Sequence, residues 1–112
     1  MGARPKRLAG PVALGNNVYG TVYTANAAGL VYAEVLSVTL CNTTAAALTG
    51  YIHLCAAGAE AAGNAYMYNY SLDVPGLPYT FPLKIVLEPN EILRAKGSAT
   101  GITIALGGLE VT

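Results

Sequence analysis

One histidine, His53, and two cysteines, Cys41 and Cys55, are the residues of this chain best suited to chemistry. A Ser-His-Asp or Cys-His relay needs a histidine base, so any such arrangement must run through His53. In a strand, the run Ile52-His53-Leu54 turns His53 away from the face that Ile52 and Leu54 bury and sets it beside Tyr51. Glu34 is the one acid expected on the adjacent strand, and it offers no evident orientation of the ring. His53 is therefore expected at a surface or an interface, not in catalysis. Structural zinc takes four ligands in paired spacings, so Cys41, His53 and Cys55 do not make a metal site. If the chain turns near Thr44 into a hairpin, Cys41 faces a residue near Leu48 and Cys55 one near Glu34. That is too far apart for a disulfide, so two free thiols are expected, as in a cytoplasmic product.

Other candidate chemistry is weaker. Glu88 and Glu91 bracket a turn, and paired carboxylates can hydrolyse glycosides, but solvating the turn is the simpler role. Lys96-Gly-Ser has the letters of a phosphate loop in the wrong order and lacks its upstream glycine. Tyr66, Tyr68 and Tyr70 alternate like a stacking platform for single-stranded nucleic acid. Such platforms interleave Lys and Arg, whereas Met67, Asn69 and Ser71 stand between these tyrosines. They are read as core or subunit-interface residues. With Tyr51, His53 and Tyr79 they form the candidate subunit interface; no catalytic residue, cofactor or metal is expected.

The elements that must position these residues are strands, because period two dominates throughout. Strands are expected over 17–24, 31–41, 47–56, 66–74, 81–88 and 92–96, with a last one from Ile102 that reaches Val111 if the tail joins it. Asn42-Thr43-Thr44, Glu88-Pro89-Asn90-Glu91 and Gly97–Gly101 mark turns, and Gly107-Gly108 reads as a bulge. Gly58–Gly63 is expected to be a loop. About seven antiparallel strands joined by short connections give an all-β sandwich, jelly-roll-like, over residues 17–112. No βαβ unit is available for a parallel sheet.

Composition sets further limits. The chain has 112 residues, no net charge, 11% charged residues and 54% hydrophobic residues, enough for one domain and one core. Global disorder and strongly basic or acidic binding surfaces are excluded. Nineteen Ala, thirteen Gly and eight Tyr, with no Trp, describe an exterior finished against other protein molecules. No stretch is long and apolar enough to span a membrane as a helix. Residues 1–16 fit no expected strand. They carry Arg4, Lys6 and Arg7, a charge of +3 against −3 for the remainder, and read as an extended arm. Arg4, Pro5, Lys6, Arg7 and Leu8 are its candidate partner-binding residues. Gly10, Pro11 and Gly15 break any signal-like apolar run that follows.

Pro5-Lys6-Arg7-Leu8-Ala9-Gly10-Pro11, Val38-Thr39-Leu40-Cys41-Asn42-Thr43-Thr44, Tyr68-Asn69, Pro82–Glu91 and Gly108-Leu109-Glu110-Val111-Thr112 occur in a recognisable order. In this the chain resembles the small β-sandwich virion proteins of tailed bacteriophages. The resemblance implies a non-enzymatic part of the particle, first of all a capsid decoration (cement) protein that bridges major capsid protein subunits on the capsid exterior. Head–tail, collar and fibre-attachment parts are the alternative, and a carbohydrate-binding sandwich using Tyr51, Tyr66 or Tyr79 is another. It implies self-association as a homotrimer, with a dimer also open; composition and patterning give no expectation of a nucleic-acid or membrane partner. Cys41, Cys55 and the loop from Ala57 to Ala65 depart from what it explains.

Overall fold

In the computed structural model, residues 3–55, 65–72, 78–82 and 84–112 are described. Nine strands are formed there and no helix: β1 (Ala3–Ala13), β2 (Gly20–Thr24), β3 (Tyr32–Asn42), β4 (Leu48–Cys55), β5 (Ala65–Leu72), β6 (Pro78–Phe81), β7 (Ile85–Leu87), β8 (Ile92–Gly97) and β9 (Ile102–Val111). They make two antiparallel sheets. One has the order β1-β9-β3-β6 with β7 also on β3, and the other the order β2-β8-β4-β5. β6 pairs with Val38–Cys41 and β7 with Ala33–Val35, so they are two lengths of one interrupted strand along β3. Counted that way, eight strands are divided between the two sheets in the order of a jelly roll.

The sequence explains the elements. Ile102, Ile104 and Leu106 alternate with half-exposed residues and place β9, a central strand, against the core. Val35, Val38, Leu40, Ile52, Leu72, Ile85, Leu87 and Leu93 complete that core from both sheets. Between β7 and β8, Glu91 N donates to the Glu88 carbonyl at 3.0 Å across Pro89-Asn90. Asn90 has φ 73°, which makes this a type II turn. At the β3–β4 crossing the buried Asn42 Nδ2 donates to the Ala46 and Leu72 carbonyls, while its Oδ1 accepts from Thr44 N at 2.9 Å. Its side chain thereby satisfies the turn and ties it to β5.

The all-β sandwich is as expected, but its connections are not hairpins. β3 and β4 lie in different sheets, and only β4–β5 joins consecutive strands side by side. Cys41 and Cys55 are free thiols, as anticipated, yet they are separated by sheet membership and not by slippage along a hairpin. Glu34 lies on β3 in the other sheet, so the residue opposite His53 on β8 is Arg94. The segment expected as an extended arm is different as well. Residues 3–13 are edge strand β1, paired along β9 from Ala3–Val111 to Ala13–Thr103. The sequence hid it because two register shifts and Pro5 and Pro11 disturb its alternation.

Candidate assembly surfaces

Three places on this frame gather the residues that could act. The first is the seam where β1 and β2 close the sandwich. Tyr23, a buried β2 residue, donates its hydroxyl to Glu110 Oε2 at 2.5 Å, and Lys6 Nζ on β1 lies 3.0 Å from Glu110 Oε1. One carboxylate on β9 thus joins both sheets. Burial, followed by the hydrogen bond and the negative charge of Glu110, pushes the Tyr23 phenol well above its usual range. Arg7 is exposed, and its Nη1 donates to the Gly10 carbonyl at 3.3 Å. Leu8 is half-buried against the core. Of the five residues assigned to partner binding, Lys6 and Leu8 serve the fold, whereas Arg7 faces solvent. The side chains of Arg4 and Pro5 lie outside the described residues.

The second place is the outer face of the four-stranded sheet. Tyr51 and His53 on β4 stand opposite Lys96 and Arg94 on β8. Parity sends His53 away from the core, as expected, yet it is only 2% exposed. The segment between β1 and β2 covers it: Tyr19 Oη is 2.8 Å from His53 Nε2, and the rings meet edge to face. Backbone bonds from Asn17 N to the Gly97 carbonyl and from Gly97 N to the Gly15 carbonyl hold that segment to β8. Lys96 Nζ sits 4.8 Å above the Tyr19 ring and 4.6 Å above the Tyr51 ring, and donates to Asn17 Oδ1. His53 is therefore neither a surface residue nor an interface residue of the single chain. Its histidine-over-tyrosine packing is structural, and the sequence carries no local sign that residue 19 returns over residue 53.

The tyrosine row does not survive as a row. Pairing of β4 with β5 shifts twice, between Gly50 and Ile52 and between Ile52 and His53. Tyr70, opposite Gly50, packs edge-on against Phe81 of the facing sheet with ring centroids 5.0 Å apart. Met67 turns to the core, and Tyr66 is left exposed. Tyr79 is half-buried against the core, and the side chain of Tyr68 lies outside the described residues. Tyr51 and Tyr66 thus belong to the four-stranded sheet and Tyr79 to the five-stranded one.

The third place is a shallow depression on the outer face of the five-stranded sheet, lined by Val31, Tyr32, Glu34, Val86 and Glu88. Val31 and Val86 are exposed, as is Leu36 nearby on β3. The signal for it in the sequence is faint. Alternation in β3 places Tyr32, Leu36, Val38 and Leu40 on one face, but the register shift between Val35 and Ser37 sends Tyr32 and Leu36 outward while Val38 and Leu40 stay inside. Among the described residues no three His, Cys, Asp or Glu side chains gather as metal ligands.

No known family and no curated protein matches this sequence. Its fold is similar to that of a chain in a solved virus structure. The chain is similar to one in the structure of infectious bursal disease virus strain Gx, with a TM-score of 0.52 and 15% identity over 96% of its length. A chain in the structure of the Gt strain is similar at a TM-score of 0.46 and 14% identity. The present chain spans 30% of the length of each. At that identity the likeness is one of fold: an antiparallel β-sandwich.

Proposed function

We propose that this chain is a non-enzymatic structural protein of a virus particle, and more specifically a decoration (cement) protein of a tailed phage. It binds the exterior of the assembled shell, bridges major capsid protein subunits and strengthens the lattice. It is made in the host cytoplasm and self-associates there or on the shell. The observation that supports the reading is the antiparallel β-sandwich, similar at a TM-score of 0.52 over 96% of the present chain to a chain of a virus structure. The exposed Val31, Leu36 and Val86 on the five-stranded sheet add apolar surface of the kind that protein contacts cover.

Labelling of particles tests it. Antibody against the chain, applied to purified virions and imaged by electron microscopy, is expected to mark the whole shell. Label confined to one vertex would move the protein to the neck, collar or fibre base, the alternative within the same reading. Particles that bind no antibody and contain no copies by mass spectrometry would end the virion assignment.

A further inference from the structure

Arg7 and Glu88, neither with an oppositely charged partner among the described residues, lie toward opposite edges of one sheet. Strand β1 carries Arg4, Lys6 and Arg7 at one edge of the five-stranded sheet, and β7 with its depression lies at the other. Lys6 is paired with Glu110, but Arg7 is exposed and pairs with no carboxylate among the described residues. Across the sheet, Glu34 is met by Lys84 Nζ at 3.7 Å, while the exposed Glu88 carboxylate has no cation beside it among the described residues. Val31 and Val86 stand next to it, 50% and 43% exposed. An unmatched cation and an unmatched anion with an apolar patch therefore face away from each other on a chain of zero net charge.

We infer that the depression around Val86 and Glu88 receives the β1 edge of a second copy, with Arg7 of that copy against Glu88. The inference rests on the proposed structural role and names the contact through which copies join. Pro5 and Pro11 remove ladder donors from β1, and proline on an edge strand guards it against direct strand addition. Contact is thus through side chains. Because the two surfaces are different and lie on opposite edges, the interface is heterologous and repeats head to tail until a ring closes. One exposed ion pair is weak alone. Ring closure makes the last contact intramolecular and raises the apparent affinity of the whole.

Sedimentation of the purified full chain tests this in low and high salt. A ring of three or more copies is expected at low salt, dissociating as salt screens the contact. Arg7→Glu and Glu88→Arg are each expected to weaken assembly about tenfold or more, and the double variant R7E/E88R to restore it, since opposed charges are exchanged. Both sites are exposed, so unchanged melting temperatures will show that the variants fold; Val86→Asp disrupts the same surface without exchanging its charges. A monomer at every concentration and salt, a discrete twofold dimer, or a double variant no better than the single ones would overturn the inference. Particle labelling by a chain that sediments as a monomer would overturn the inference alone. Rings that never label particles would instead overturn the functional reading.

Discussion

Tyr23 and Tyr19 show how single side chains tie together parts of the chain that are far apart in sequence. Tyr23 is protonated when it donates to Glu110, and its folded-state pKa is raised above the ordinary 10.0. Folding therefore favours the neutral phenol: its contribution is whole below about pH 10 and is lost as the pH rises beyond the unfolded value. Wild-type stability in urea is expected to fall on raising the pH from 9 toward 11 (roughly the unfolded tyrosine range), and Tyr23→Phe to flatten that slope. The same variant removes the donor to a half-hidden carboxylate, at about 1–3 kcal/mol at neutral pH. A pH slope identical in the two proteins would refute the assignment. Tyr19→Phe leaves the buried His53 Nε2 without that hydroxyl and is expected to cost a similar amount, about 1–3 kcal/mol, by urea denaturation. Neither partnership can be read from sequence: Tyr19 and His53 are 34 residues apart, and Tyr23 and Glu110 are 87 apart.

At the scale of the strand, bulges decide which face each residue occupies. The pair Gly107-Gly108 suggests a bulge within the last strand, but β9 runs unbroken and its neighbours bulge around it: β3 between Val35 and Ser37, and β1 between Arg7 and Ala9. Glycine is required because both neighbours crowd inward there; a Cβ on Gly108 would overlap the Glu34 carbonyl and reach the Leu8 side chain. Gly108→Ala is expected to cost about 1–3 kcal/mol in urea unfolding, as overpacking does. A neutral result would mean that β3 shifts freely at Leu36. Strand type and most strand positions were legible, because buried residues recur at period two along β8 and β9 and on either side of the break in β3. Pairing was not. Period two fixes which residues share a face and says nothing about which sheet receives the strand, so crossing connections looked like hairpins. Each bulge then reverses parity beyond it, which scattered Tyr66 and Tyr70 and turned Tyr32 and Leu36 outward.

For the whole molecule, the pairing of β1 with β9 decides what the amino-terminal segment can do. An arm could be removed at no cost to the body, but β1 is the outermost strand of its sheet and shields β9, which carries Ile102, Ile104 and Leu106. Its Leu8 and Ala9 pack on the core, Lys6 holds Glu110 in place, and the following Leu14 is buried with its N–H donated to the Ile102 carbonyl at 2.8 Å. Deleting residues 1–13 would strip β9 of half its ladder and uncover apolar surface across the sandwich edge. Loss of the cooperative thermal transition is expected, together with aggregation through the exposed β9 edge, which presents unpaired N–H and C=O groups to any passing strand. A truncated chain that melts sharply and stays monomeric would contradict the β1–β9 register. The consequence for function is direct. Loss of particle binding on truncation would report a broken sandwich, whereas Arg7→Glu leaves the sheet intact and isolates the contribution of the basic edge. Charge exchange between Arg7 and Glu88 is therefore the sharper probe of assembly, and it keeps β1 in place while it acts.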